Sequence, residues 1–216
     1  MKYKYILFDL DGTLTDSKEG ITKSVQYALK KFGIEIKNLD TLEKFVGPPL
    51  KDSFIEFYNF NDDKVAEAVK YYRDYFKDTG IFENKVYDGI DDFLKKLKKL
   101  GFKLILATSK PQVFAERILK HFDLMKYFYD FAGSNLDGTR GKKSEVIRYA
   151  LDKHGIKSED AVMVGDRRYD IIGARENNIY SIGVTYGYGS VEELENEKPD
   201  CIVDSVEKLF KKITDK

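Results

Sequence analysis

Short apolar runs punctuate a chain that is otherwise rich in charge: Tyr5-Ile6-Leu7-Phe8, Phe102-Lys103-Leu104-Ile105-Leu106-Ala107, Ala161-Val162-Met163-Val164 and Cys201-Ile202-Val203. Runs of this length read as buried strands. Between and after them, apolar residues recur at helical spacing, which predicts helices near Ile90 to Leu100, Pro111 to His121, Lys143 to His154 and Tyr169 to Asn177. Strands alternating with helices imply an α/β fold with a doubly wound parallel sheet. The first strand ends near Leu10 and the second begins near Phe102, an interval far longer than a crossover needs. Something is therefore inserted. Ile21, Val25, Leu29 and Phe32, then Val65, Val69, Tyr72 and Phe76, keep helical spacing within it. Helices are expected at Lys18 to Phe32, Leu39 to Phe45, Lys51 to Phe57 and Asp62 to Thr79, with Gly33 and Gly47-Pro48-Pro49 as breaks. The expected division is residues 1–15 and 86–216 for the sheet domain and 16–85 for a helical insert, with hinges near Asp16-Ser17 and Tyr87-Asp88.

The strand ends carry the chemistry. Asp9-Leu10-Asp11-Gly12-Thr13 follows directly on the first run, at the place where open parallel sheets bind ligands, and Gly12 permits a sharp turn there. Two such carboxylates suit phosphoryl transfer, one attacking phosphorus and the other handling the leaving-group proton. Thr108-Ser109-Lys110 offers hydroxyls and amides at the second strand end, and Gly165-Asp166 with Asp170 adds two acids at the third. Gly141-Lys142-Lys143-Ser144 supplies a cation at the start of a helix. Four acids at one point repel one another unless a cation joins them. Oxygen donors without nearby His or Cys indicate a hard ion, most simply Mg²⁺.

These motifs, in this order, resemble the haloacid dehalogenase-like hydrolase superfamily over nearly the whole chain. Asp9 to Ser17, Val46-Gly47-Pro48-Pro49-Leu50 and Gly165-Asp166-Arg167 are similar to the branch of phosphoglycolate phosphatases and bacterial 5′-nucleotidases. The resemblance implies a Rossmann-like core with a helical cap and a Mg²⁺-dependent phosphatase. In it Asp9 is the nucleophile that forms an aspartyl-phosphate, and Asp11 is the general acid and base. Thr108 binds the phosphoryl group with Ser109 and Gly12 beside it, and Lys143 neutralises charge. Asp9, Asp166 and the carbonyl of Asp11 hold the metal, with Asp170 binding it through water or orienting Asp166. Lys142 is an alternative to Lys143, because the Lys-Pro pair usual after this loop is absent. A second carboxylate fits a phosphatase better than a dehalogenase, since halide leaves unprotonated. A phosphosugar mutase of the β-phosphoglucomutase type is one alternative, and a noncatalytic regulatory protein on the same fold is another.

Composition narrows the partners. Among 216 residues, 42% are hydrophobic, enough for a sizeable core, and 37 basic residues balance 37 acidic ones. No net field attracts nucleic acid or anionic membrane. With no apolar stretch of membrane-spanning length, and with Met1-Lys2-Tyr3-Lys4 leading straight into the first strand, a cytoplasmic, monomeric protein acting on a small phosphorylated metabolite is expected. A nucleoside 5′-monophosphate and phosphoglycolate are the two substrate expectations. The single Cys201 and the two histidines, His121 and His154, read as packing and helix-end residues. Phe54, Phe57, Tyr58, Tyr71, Tyr72, Tyr75 and Phe76 read as helix packing before base recognition. Val46-Gly47-Pro48-Pro49-Leu50 reads equally as a helix link and as a cap loop. Gly183 to Gly189 is expected to be a flexible rim loop.

Overall fold

The computed structural model describes residues 3–215. Met1 and Lys2 of the expected start, and Lys216 at the other end, lie outside them. The chain divides into two compact units, Met1–Thr15 with Val86–Lys216, and Asp16–Lys85.

The first unit is built on a six-stranded parallel sheet. β1 (Tyr5–Phe8) is followed by two short crossing strands, β2 (Thr15–Asp16) and β3 (Lys85–Val86), which pair with each other. The sheet is completed by β4 (Lys103–Pro111), β5 (Asp130–Ser134), β6 (Ala161–Gly165), β7 (Tyr180–Val184) and β8 (Cys201–Val203), in the order β5-β4-β1-β6-β7-β8. β1 lies between β4 and β6, with Phe8 in register with Leu106 on one side and Val164 on the other. Its Ile6, Leu7 and Phe8 are fully buried, as expected of a strand covered on both faces. The winding of the sheet reverses beside β1, so the crevice at the ends of β1 and β6 is its topological switch point.

Helices of the second unit pack on an aromatic centre. α1 (Lys18–Lys31) buries Ile21, Val25, Ala28 and Leu29 and ends before Gly33, whose φ of 76° suits glycine. The segment Leu39–Phe45 is a 3-10 helix, and α2 (Leu50–Tyr58) and α3 (Asp62–Phe76) follow it. Phe54, Tyr72 and Phe76 are buried. The rings of Phe45 and Phe54 lie 5.2 Å apart, and those of Tyr72 and Phe76 also 5.2 Å. Phe54, Tyr72 and Phe76 thus serve packing, while Phe57, Tyr58, Tyr71 and Tyr75 are half-buried.

Back in the sheet domain, α4 (Ile90–Lys99) buries Ile90, Phe93, Leu94 and Leu97 and exposes Lys95, Lys96, Lys98 and Lys99. α5 (Gln112–His121), α6 (Lys143–His154), α7 (Arg168–Glu176), α8 (Val191–Asn196) and α9 (Val206–Thr214) complete the layers. Leu7, Ile105 and Met163 meet Val146, Ile147 and Ala150 of α6 in one apolar cluster. That packing fixes where the first residues of α6 stand relative to the strand ends. His154 closes α6 and contacts Asp130 at 2.6 Å, and Cys201 is half-buried in β8. Among the described residues no helix is long and apolar enough to cross a membrane.

Candidate active site

Register alone brings three motifs together. Asp9 follows Phe8, and its N–H donates to the carbonyl of Val164 at 3.0 Å, which sets it beside Gly165-Asp166. Carboxylate oxygens of Asp9, Asp166 and Asp170 lie within 4.8 Å of one another, and all three residues are buried. Asp170 occupies the first turn of α7, where the helix dipole favours an anion, and it accepts the N–H of Arg167 at 3.1 Å.

Lys143, the first residue of α6, points into this cluster. Its Nζ lies 2.7 Å from Asp9, 2.9 Å from Asp170 and 3.0 Å from the carbonyl of Ala107. Lys142 is exposed. Of the two adjacent candidates, the structure buries Lys143. Burial disfavours the Lys143 charge, but Asp170 and Asp9 outweigh it and hold the ammonium above its ordinary range. Burial, then Asp170 and Asp9, pushes the carboxyl of Asp166 well up. For Asp170, burial and Asp9 prevail over the opposing Lys143, and the group is pushed up to about 6.

Thr108 is buried and Ser109 half-buried, and the strand expected to stop at Ala107 is continued by these residues to Pro111, with a register shift against β5. Asp11, also buried, lies 2.9 Å from the ammonium of Lys110. The N–H of Gly12 donates to Thr15 at 2.8 Å. A Cβ on Gly12 would stand 2.1 Å from Asp166 Oδ2 and one on Gly165 would stand 2.1 Å from the carboxyl carbon of Asp170, so both glycines are needed for close approach.

Sequence reasoning missed the group that holds Asp166. Thr13 Oγ1 donates to its Oδ1 at 3.1 Å and the Tyr188 N–H to its Oδ2 at 2.9 Å, while the Tyr186 hydroxyl donates to the Thr13 carbonyl at 3.1 Å. Gly183 belongs to β7, and the rest of the segment expected to be a flexible rim contacts Asp166 through Gly187, Tyr188 and Gly189 and is hydrogen-bonded to the β1 turn through Tyr186. A Cβ on Gly187 would lie 2.2 Å from the Gly12 carbonyl and 2.5 Å from Asp166 Oδ2. Gly187→Ala is expected to lower stability by about 1–3 kcal/mol by displacing Asp166 and the Gly12 carbonyl, read from thermal melting. Lys110 was also passed over, although its i, i+2 spacing from Thr108 was a usable signal for one face of a strand. Arg140 and Arg167 have structural partners, Arg140 at the Gly133 carbonyl and Arg167 at Glu193.

The profile of the haloacid dehalogenase-like hydrolases matches residues 6–184. A 5′-nucleotidase of Pseudomonas aeruginosa is 49% identical over 199 residues, spanning 92% of this chain and 90% of that protein. A phosphoglycolate phosphatase of Vibrio parahaemolyticus is 28% identical over 215 residues, spanning 96% and 94%. The crystal structure of a predicted phosphatase from Clostridium acetobutylicum superposes with a TM-score of 0.97 at 60% identity, covering 99% of both chains.

Proposed function

The chain belongs to the haloacid dehalogenase-like hydrolases, and from that premise we propose that it is a Mg²⁺-dependent phosphatase of small metabolites, acting on a nucleoside 5′-monophosphate or phosphoglycolate through an aspartyl-phosphate on Asp9. Phosphatases among its relatives support the reaction class. One observation carries the chemistry. Among the described residues the buried cations paired with Asp9, Asp11 and Asp170 are Lys110 and Lys143, so with all four carboxyls of Asp9, Asp11, Asp166 and Asp170 ionised two negative charges are uncompensated.

That excess, presented by oxygen donors alone, fits a hard divalent cation. Asp9, Asp166 and Asp170 would hold it, and Asp11 would add its carbonyl. When bound, Mg²⁺ supplies positive charge opposite the phosphoryl oxygens. The residues do the rest. Asp9 attacks phosphorus, while Lys143 offsets the charge gathered between Asp9 and the phosphoryl group. Thr108 and Ser109 orient the phosphoryl oxygens. Asp11 gives a proton to the departing alkoxide and then takes one from the water that releases phosphate. The helical insert, residues 16–85, is assigned the part of a cap that selects among substrates.

The test is phosphate release over nucleoside monophosphates, phosphoglycolate and sugar phosphates, with Mg²⁺ and with chelator, and with Asp9→Asn as blank. Mg²⁺-dependent turnover that prefers one of the first two classes supports the proposal, and turnover insensitive to chelator refutes it. A pH effect accompanies metal binding. In the folded chain Asp170 keeps its proton up to about pH 6, whereas unfolded Asp releases it near about 4. Its contribution to metal-free stability is thus present below that lower pH and lost as pH rises to 6. Mg²⁺ is expected to raise the melting temperature more at pH 7 than at pH 5, measured on the metal-free protein.

A further inference from the structure

Asp11 follows the end of β1 on a turn, and a general acid is useful only if the correct oxygen faces the substrate. Its side chain is 8% exposed and the Lys110 side chain 7%, so their 2.9 Å contact is little screened by solvent. The two oxygens of Asp11 differ. Oδ2 receives the ammonium, while Oδ1 is buried with no hydrogen-bond partner among the described residues. A buried carboxylate oxygen without a partner is unfavourable and calls for an explanation.

We propose that Lys110 is a positioning residue that clamps Asp11 by Oδ2 and reserves Oδ1 for the leaving-group oxygen and, afterwards, for the attacking water. The inference rests on the phosphatase reading given above. An ammonium has donors only. A proton on Oδ2 would face those donors, so the proton that Asp11 carries resides on Oδ1, and Oδ2 accepts from Lys110 in both protonation states. In the first step the Oδ1 proton passes to the ester oxygen as its bond to phosphorus breaks and the Asp9–phosphorus bond forms. In the second, Oδ1 takes a proton from water as the water oxygen bonds to phosphorus and the Asp9–phosphorus bond breaks. The clamp keeps the same oxygen in place for both.

Lys110 is itself well anchored. Its N–H donates to Thr108 Oγ1 at 3.3 Å, so one residue ties together the hydroxyl assigned to phosphate and the acid assigned to the leaving group. Its carbonyl lies only 2.8 Å from where a Cβ on Gly133 would stand, so β5 presses on the Lys110 backbone at the point where the β4–β5 register shifts.

The test is a leaving-group series, p-nitrophenyl, phenyl and ethyl phosphate, run with wild type, Lys110→Met, Lys110→Gln, Lys110→Arg and Asp11→Asn. Nitrophenolate leaves with little need of a proton, whereas ethoxide needs one. Lys110→Met is expected to lower kcat/KM for ethyl phosphate about 10²-fold and for p-nitrophenyl phosphate less than about tenfold, with Lys110→Gln falling alike and Lys110→Arg recovering most of the ratio. Retained turnover of the nitrophenyl ester shows that the variants are folded. A purely structural lysine would lower all three esters by one common factor, and that result overturns the inference. If Asp11→Asn widens the ratio and the Lys110 variants do not, the clamp is refuted while the phosphatase reading stands. If Asp11→Asn leaves the ratio unchanged, the role of Asp11 falls and the clamp with it.

Discussion

Asp9→Asn is expected to remove turnover almost entirely, lowering kcat by about 10³-fold or more, as loss of a covalent nucleophile does. The amide keeps the shape of the side chain but has no negative oxygen to attack phosphorus. Folding is not expected to suffer. Asp9 stands in a buried group whose four carboxylates exceed the two ammoniums, so removing one negative charge relieves repulsion in the metal-free protein. The variant should therefore melt no lower than wild type without metal while its activity is gone. A site that is destabilising until it is loaded has this signature, stability yielding to function. Steady-state phosphate release and thermal melting, both measured on one preparation, check the two halves together.

Lys143→Met should do damage of the opposite kind, to stability as well as rate. Lys143 is the shared counter-charge of Asp9 and Asp170. Its removal leaves both acids buried without it, and breaking a buried pair from one side destabilises by about 3–5 kcal/mol. For a chain of this size that is roughly 10 °C in melting temperature. The loss of preorganised positive charge beside the phosphoryl group lowers kcat by about 10²-fold or more. Lys142→Met supplies the contrast. Lys142 is exposed, so its replacement should change stability by less than about 0.5 kcal/mol. Equal effects at the two positions would contradict the placement of Lys143 in the site. Melting curves and kcat values for the pair of variants decide it.

Much of the fold was legible because its central strands have no solvated face. Tyr5–Phe8 and Ala161–Val164 read as continuous apolar runs, and both are strands of the sheet centre. Helix α1 was expected one residue longer than it is, since the spacing of Ile21, Val25 and Leu29 leaves little choice. Where tertiary contact governs, the reading was poorer. The helix expected to reach Thr79 stops at Phe76, and the chain turns into a 3-10 segment at Gly80–Phe82. There the backbone of Gly80 approaches Gly20 so closely that a Cβ on Gly20 would lie 1.8 Å from the Gly80 carbonyl, a contact no local pattern announces. The segment Leu39–Phe45 is helical as expected but winds as a 3-10 helix, a distinction that periodicity over seven residues does not make.

The short helix α8 was not anticipated, although Ser190 followed by Glu193 is a start signal, and Ser190 does accept the Glu193 N–H. Ser205 caps α9 in the same way.

For the site, residues adjacent in sequence to a strand end were the readable ones. Asp9, Asp11 and Asp166 announce themselves because they stand at the ends of apolar runs, Asp170 by its spacing from Asp166, and packing of the sheet does the assembling. Groups that arise from neighbouring strand ends were not readable. Lys110 meets Asp11 only because β4 lies beside β1 and continues past Thr108. Tyr188 reaches Asp166 through a backbone N–H, for which side-chain identity is no guide. The glycines of that loop carried the signal in another form, since Gly187 has no room for a Cβ.

The central claim is that Asp9 becomes phosphorylated during turnover. Its most direct test is mass spectrometry of acid-quenched protein after mixing Asp11→Asn with substrate and Mg²⁺, the variant being expected to release the phosphoryl group slowly. The account predicts one added phosphoryl group on the peptide containing Asp9, absent without Mg²⁺ and absent in Asp9→Asn. A phosphoryl group on any other residue, or wild-type phosphate release by Asp9→Asn, would contradict it.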